Sequence, residues 1–383
     1  MTDPTITYIP VGNGDTSLIR LSDESSIIID CNIRVDSRDD EVESCYDGHA
    51  HLLKVLRHDA QGRPFTDAFI LTHPDQDHCR GFASTFHTGD LRTYQKKKGE
   101  PDKIVIGELW FSQRIFSNYE RGQKLSDDAK AFKQEALRRI QLYKSGSPQR
   151  LLPGNRIRII GYGESEVTKG LSDITTIPGS AINLINGSVK SDFSFFVHAP
   201  FKRDVIGADR NNTSIVLQAR FGTNNAEPAG LAFFGGDACW DIWAQILKRS
   251  RTETLTWDLF LSPHHCSWSF FNDVPYENNT RPKQTSLEIL RHHRPGATVI
   301  ASSKPIRDDD DNPPHYAAAV QYKREVGSDH FFCLCETPSE DKPEPVMFRI
   351  TAKGPQRIES STPSRVQSVS AVQVSVRNPR IYG

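Results

Sequence analysis

The sequence predicts an α/β protein, an αββα sandwich of two packed mixed sheets with helices on the outer faces. Three observations lead there. Strand-like runs crowd the beginning of the chain, whereas helical segments alternate with strands further on. Most of these strand runs are apolar throughout instead of alternating, the pattern of strands covered on both faces. The 383-residue length suits one large α/β core with insertions, or two domains.

The elements follow in order. "TITYIPV", "TSLIRL" and "SSIIID", separated by the turn-forming "GNGD" and "SDES", read as three strands. "HAHLLKVLRHD" reads as a short helix, and "DAFILT" and "KIVIGELWF" as the next strands. Between Ser126 and Lys144, Ala129, Phe132, Ala136, Ile140 and Tyr143 recur at helical spacing. Ser126 can cap that helix, aspartates occupy its first turn, and Lys144 and Gly146 close it. "NRIRIIGYG", "DFSFFVHAP", "TSIVLQARF", "GLAFFGG" and "TWDLFLSPHH" continue the strand series. "QTSLEILRHH" reads as a helix, "ATVIAS" as a strand and "HYAAAVQYKREV" as a helix. "HFFCLCET" and "PVMFRITAK" are expected to pair as a late hairpin across "PSEDKPEP". Residues 1–352 are read as one domain, and 353–383 as a Ser-, Arg- and Val-rich tail that either docks as a strand or hangs loose.

Composition excludes several classes. The charges nearly cancel, 47 Lys and Arg against 48 Asp and Glu, so no global field draws the protein to nucleic acid or membrane. No stretch of about 18 apolar residues exists to span a bilayer. "MTDPTITYIPVGNGDTS" lacks the basic start and apolar core of a signal peptide, so export by that route is not expected. The seven cysteines are scattered, apart from Cys333 and Cys335. They match neither a disulfide framework nor a zinc ribbon, and a reduced cytoplasm is the expected setting.

Three strand ends carry the chemistry. "LTHPDQDH" places His73, Asp75, Asp77 and His78 within six residues after a strand. A strand end followed by a tight turn can aim such side chains at one point, and imidazole and carboxylate are both metal ligands. The competing reading is a polar loop in which Asp75 or Asp77 caps a helix. "FFGGDACWD" runs an apolar strand into Gly235, Gly236 and Asp237, where one carboxylate could bridge two cations. "LFLSPHHCS" ends in His264 and His265; adjacent strand residues point oppositely, so one is expected to bind metal and the other to donate a proton or pack. Three apolar strands each ending in ligand residues imply one shared metal centre.

The same motifs carry a family resemblance. His-x-Asp-x-Asp-His after a strand, Asp after Gly-Gly, and His-His-x-Ser after another strand resemble the metallo-β-lactamase superfamily. Within it the chain is most similar to the hydrolase domain of competence-type (ComEC-like) DNA-uptake proteins and their free-standing relatives. "VGNGDTSLIRL…SIIIDCN" looks like that branch's N-terminal hairpin and Ile-Asp-Cys-Gly turn. "FFVHAPF…DRNNTSIVLQARFG…FFGGDA" and "SKPIRDDDDNPPHYAAAV" resemble its later segments. The resemblance covers residues 5 to about 325, with an unmatched insertion at about 85–190. Asn32 and Cys266 stand where that branch has glycine, and Pro314-His315-Tyr316 departs from its late His-Pro.

The resemblance implies the metallo-β-lactamase fold and two divalent metal ions. His73 and Asp75 would hold one, Asp77 and His78 the second, and Asp237 would bridge; one of His264 and His265, with His265 preferred, would complete the second site. Asp75 and Asn211 replace two of the superfamily's usual histidines, and this oxygen-richer set favours Mn²⁺, with Zn²⁺ as the alternative. A cation pair ionises a water near neutral pH and offsets the developing oxyanion charge. Asp77 would share in the catalytic machinery, while His264 or His315 would protonate the leaving oxygen. Asn211, Ser214, Lys304 and Trp268 are the substrate-side candidates, Trp268 by stacking on a base.

The expected activity is a phosphodiesterase, foremost a nuclease with a nucleic-acid substrate. The alternatives are a hydrolase of a small phosphodiester, ester or lactone, and, behind it, a non-catalytic scaffold. Near-neutral charge counts mildly against tight duplex binding, and a protein partner or homo-oligomer is left open. Lys96–Lys98, Lys202, Arg203 and Arg210 are the basic residues that could grip a backbone, although lysines in loops more often serve solubility. "DDDDN", Asp308 to Asn312, reads as a solvated loop. Trp110, Trp243 and Trp257 read as core, and Cys31 and Cys266 lack ligand spacing.

Overall fold

The computed structural model describes residues 2–34, 46–116, 124–162, 165–202, 211–222 and 227–359. The first sheet is built from β1 (Thr5–Tyr8), β2 (Ser17–Arg20), β3 (Ser26–Ile29), β4 (Phe65–Leu71), β5 (Val105–Ser112), β6 (Arg156–Ile160) and the short β7 (Thr175–Thr176). After β8 (Ala181–Ile182) and a small ribbon of β9 (Leu184–Ile185) and β10 (Ser188–Val189), the chain enters β11 (Phe193–Ala199), β12 (Val216–Phe221) and β13 (Gly230–Phe234). β14 (Trp257–Leu261), β15 (His293–Ala301) and β16 (Phe331–Cys333) follow; β17 (Val346–Thr351) and β18 (Gly354–Ile358) return to the first sheet.

Sheet order is β18-β17-β1-β2-β3-β4-β5-β6-β7 in the first sheet and β16-β15-β14-β13-β12-β11-β8 in the second. Both are mixed. β3 to β7 run parallel to their neighbours, as do β13 to β16, while the remaining pairs are antiparallel. The two sheets meet in a core of alternate residues, among them Ile27, Ala68, Ile70 and Trp110 from one and Phe195, Leu217, Phe234 and Leu259 from the other. The opposite face of the first sheet, with Phe69, Leu71, Leu109 and Phe111, is covered by the helix Asp127–Lys144. The outer face of the second packs under the helices Trp240–Arg249, Gln284–Arg291 and Tyr316–Val326. Two large mixed sheets thus pack together inside a helical coat, and strands buried on both faces read as uninterrupted apolar runs.

The helix expected after Ser126 forms as Asp127–Lys144, with Ser126 Oγ accepting from Ala129 N at 3.2 Å. It buries Ala129, Phe132, Ala136 and Ile140, each large apolar side chain contributing about 1.5–3 kcal/mol. This helix, β5 and β6 all lie within 85–190, so the stretch without a counterpart in the resemblance builds part of the first sheet and its cover. The helix Trp240–Arg249 was not foreseen, although Ile242, Trp243 and Ile246 carry its spacing.

The late hairpin does not form. "FFC" becomes β16, parallel to β15 in the second sheet, whereas β17 pairs with β1 in the first. The partner of β17 across a turn is β18, which lies in the stretch read as a tail. Apolar runs cannot by themselves announce which of two sheets they join. From residue 360 onward the tail lies outside the described residues, as do Arg203 and Arg210. Among the described residues, no helix is long and apolar enough to cross a membrane.

A buried ion pair ties the long helix to the sheet. Arg139 Nε donates to Glu135 Oε1 at 2.7 Å, and its other nitrogens donate to the Ile106 and Arg156 carbonyls at 3.1 Å. Glu135 Oε2 also accepts from Gly89 N at 2.8 Å. Removing one partner strands a buried charge. Glu135→Ala is therefore expected to lower unfolding stability by about 3 kcal/mol in urea titration, and Glu135→Gln by less.

Candidate metal centre

The site lies where parallel strands of both sheets end. β3 leads into Asp30, β4 into Thr72 and His73, β13 into Asp237, and β14 into His264 and His265. Backbone hydrogen bonds lock the ends together: Asp30 N to Ile70 O at 2.9 Å, Ile215 N to Thr72 O at 3.0 Å, and His264 N to Gly236 O at 3.1 Å. Gly236 has φ +49°, and a Cβ there would sit 2.8 Å from Thr72 Oγ1. Only glycine lets β13 turn this close to β4.

Asp237 is the hub. Its Oδ1 lies 2.9 Å from His78 Nε2 and 3.5 Å from His265 Nε2, and its Oδ2 lies 3.4 Å from His73 Nε2 and 3.6 Å from His264 Nε2. Asp77 Oδ2 stands 3.3 Å from His265 Nε2, and Asp75 Oδ2 stands 3.8 Å from His73 Nε2. The donors thus sort into two halves around one carboxylate. Asp77, His78, Asp237 and His265 each offer a ligand atom within 4.8 Å of the others.

Two further aspartates aim the imidazoles. Asp30 Oδ2 lies 2.8 Å from His78 Nδ1 and accepts from Thr72 Oγ1 at 2.6 Å, and Asp30 Oδ1 accepts from Thr72 N at 2.7 Å. Asp15 Oδ1 lies 3.4 Å from His265 Nδ1. Each carboxylate at Nδ1 leaves Nε2 directed at the hub, the arrangement that orients metal-binding histidines. Asp15 is fixed by the N-terminal turn: Asn32 Nδ2 donates to Val11 O at 3.0 Å and Asn13 O at 2.8 Å, and Asp15 N donates to Asp77 O at 3.2 Å. Neither Asp15 nor Asp30 was among the expected site residues, although Asp30 ends an apolar strand as Asp237 does, and that signal was available.

The donor set fits a metal. His73 Nε2 and His265 Nε2, the ring nitrogens turned to the hub, are sealed from solvent without a well-formed hydrogen bond. Such atoms are costly to bury without a partner, and imidazole and carboxylate are the ligands hard and borderline divalent cations take. Buried Asp and His groups are therefore placed to hold a metal ion.

The electrostatics are those of mutual compensation. Burial would raise the pKa of Asp237, but His78, His264, His265 and His73 outweigh it and hold it well below the usual carboxylate range. Asp77 follows the same logic, with burial overcome by His265 and His78. Burial opposes charge on His265, yet Asp237, Asp15 and Asp77 push its pKa up to about 10. His264 goes the other way, lowered by burial and then by His265 and His73 against the pull of Asp237.

The histidine pair departs from the expected alternation. His264, His265 and Cys266 have φ of 50°, 51° and 67°, three successive left-handed residues. This turn swings both imidazoles to Asp237, where an extended strand would have separated them. Such backbone is strained for side chains with a Cβ, and Cys266 stands where the resembled branch has glycine.

Of the substrate-side candidates, only Ser214 among the described contacts touches the hub. Ser214 is fully buried, and its Oγ accepts from Asp237 N at 3.2 Å, so it positions the hub. Asn211 begins the short 3-10 turn leading to Ser214. Trp268 is 1 % exposed, packed against Phe271, Tyr276 and His315, which corrects the expectation of a ring open to stacking. Lys304 is half-buried and paired with Asp311, while its backbone N donates to Asn13 Oδ1 at 3.0 Å. His315 caps the helix Tyr316–Val326, its Nδ1 accepting from Ala317 N at 3.1 Å. Asp308 to Asp310 are exposed, but Asn312 Oδ1 accepts from Ser267 Oγ at 2.8 Å and Trp268 N at 3.1 Å, pinning the histidine loop. Lys96 and Lys97 pair with Asp102 and Glu100 in the same loop.

No protein-family model matches the chain, and comparison with curated proteins finds no match. The site therefore stands on its own geometry.

Metal-stripped protein given Mn²⁺ or Zn²⁺ at about 100 times Kd should gain roughly 2.7 kcal/mol, a melting-temperature rise of roughly 5 °C. Asp237→Ala should abolish the rise, and Asp30→Ala should weaken apparent metal affinity roughly 10–100-fold in the same thermal titration.

Proposed function

We propose that the protein is a dinuclear metal-dependent hydrolase of the metallo-β-lactamase type that cleaves phosphodiester bonds, foremost in DNA or RNA. The observation that carries this reading is the division of donors around Asp237: His78, His265 and Asp77 on the Oδ1 side, His73, His264 and Asp75 on the Oδ2 side. We assign one divalent ion to each half, with Asp237 between them.

Two ions so held would supply a water ionised near neutral pH and positive charge for a developing oxyanion. The chain's own residues prepare the place. Asp30 and Asp15 hold the Nδ1 atoms of His78 and His265, keeping Nε2 free for ligation. Ser214 fixes Asp237 through its backbone N–H. Ser269 Oγ lies 3.0 Å from His264 Nδ1 and orients that ring. Its Nε2 lies 3.6 Å from Asp237 Oδ2 and burial pulls its pKa down, so we assign His264 to metal holding instead of protonating a leaving group. Three carboxylates among these donors favour Mn²⁺ over Zn²⁺. The reduced cytoplasm is the setting in which the free cysteines of the described residues would persist as thiols.

Incubation with Mn²⁺ and single- or double-stranded DNA, RNA, cyclic dinucleotides and a chromogenic phosphodiester tests the reading. Degraded polymer, lost by about 10²–10³-fold in Asp77→Ala, is the expected result, a scale typical of removing one main electrostatic contributor. Cleavage of small esters alone would assign a small-molecule hydrolase, and metal binding without any cleavage would assign a scaffold. Restoration of stripped protein by Zn²⁺ but not Mn²⁺ would overturn the manganese preference.

A further inference from the structure

The Thr72 hydroxyl lies between the two halves of the metal centre. Its Oγ1 stands 2.6 Å from Asp30 Oδ2, 3.2 Å from His73 Nδ1 and 3.4 Å from His78 Nδ1. The residue is buried, and the two imidazoles beside it have ring centroids 4.0 Å apart. Its backbone is pinned on both sides. Thr72 N donates to Asp30 Oδ1 at 2.7 Å, and Thr72 O accepts from Ile215 N at 3.0 Å. Asp30 is itself held at φ +57°, a left-handed conformation that is strained for a residue with a Cβ.

The hydrogens of this group follow from its chemistry. An imidazole that ligates through Nε2 keeps its proton on Nδ1. His78 Nδ1–H then donates to Asp30 Oδ2 at 2.8 Å. His73 Nδ1–H has Thr72 Oγ1 as its acceptor, and the single hydroxyl proton of Thr72 goes to Asp30 Oδ2. Donors thus run to one carboxylate from both halves. His78 and His265 each face a carboxylate at Nδ1, whereas His73 reaches one only through a hydroxyl. Its half is also the looser one, with Asp237 Oδ2 at 3.4 Å and Asp75 Oδ2 at 3.8 Å from His73 Nε2.

We propose that Thr72 is a positioning residue whose hydroxyl relays His73 to Asp30, so that one carboxylate sets the rotation of an imidazole in each half of the metal centre. The relay rests on the two-ion reading and adds to it a residue that holds no ion itself. Its consequence is asymmetric. Loss of the hydroxyl would leave the buried His73 Nδ1–H without an acceptor, which is costly, while His78 keeps its direct bond to Asp30.

The test is Mn²⁺ binding to the metal-stripped full chain by isothermal titration calorimetry, with electron paramagnetic resonance reporting the spin-coupled ion pair. Wild type should take up two ions. Thr72→Val keeps the backbone N–H and the side-chain shape but lacks the hydroxyl. It should leave the tighter ion near its wild-type affinity and weaken the other roughly 10–100-fold, with the coupled signal lost at two equivalents. Thr72→Ser should restore both. Should valine fail to fold, as judged by urea unfolding of the stripped protein, Thr72→Ala removes the same hydroxyl in a smaller side chain. Asp30→Asn should weaken both ions, because an amide accepts at only one of the two carboxylate positions. Adding Thr72→Val to His73→Ala should cost no further affinity, since both act through one contact. Wild-type binding of both ions by a folded variant without the hydroxyl overturns the relay, as does an equal loss in Thr72→Ser or full additivity with His73→Ala. A selective loss in Thr72→Val without phosphodiester cleavage by the wild type leaves the relay standing while the hydrolase reading falls. Cleavage by the wild type with unchanged ion binding in Thr72→Val does the reverse.

Discussion

One buried carboxylate sets the terms for the rest of the structure. Asp237 has almost no contact with water, and a lone carboxylate in such a place would protonate or destabilise the fold. It remains ionised because four imidazoles from two different strand ends surround it. Three of those imidazoles are buried as well, His264 is half-buried, and all four depend on it in turn. The cluster is therefore all-or-nothing: each member is tolerable only with the others in place. That requirement draws strand ends from two separate sheets to a single point.

The architecture meets the requirement through strand direction. Parallel neighbours put the C-terminal ends of β3 and β4 on one edge of the first sheet, and those of β13 and β14 on the matching edge of the second. The inter-sheet core then fixes their separation, because close-packed side chains do not slide. The N-terminal turn contributes from the side. Asn13 ties it to Lys304 and Pro313, Asn32 ties it to the segment after β3, and Asp15 is thereby held against His265. Strain accumulates where it serves the site, in the left-handed run from His264 to Cys266.

Much of this was legible from residue order. Uninterrupted apolar runs announced strands buried on both faces, and the long helix declared its cap, its stripe and its end. The clustering of His73, Asp75, Asp77 and His78 after β4 pointed to metal chemistry without any coordinates. Other features were hidden for definite reasons. β16 and β17 look alike in sequence, so their assignment to different sheets depends on which edge each one completes. The orientation of His264 and His265 depends on a backbone turn that no side-chain pattern encodes, since neither residue is a glycine. Trp268 sits one loop from the site yet faces the core, a distinction set by the packing of Tyr276 and His315 around it.

The sequence by itself determined the chemical inventory of this protein: apolar strands, their ends, and the ionisable residues placed on those ends. Local patterns reach that far because spacing and polarity act over a few residues. The tertiary structure alone decided which of those groups share a cavity and in which rotation. It made Asp30 and Asp15 the orienting partners of His78 and His265, and sorted the imidazoles between the two oxygens of Asp237. Those are contacts between residues far apart in the chain, and they exist only once two sheets have packed and excluded water from between them.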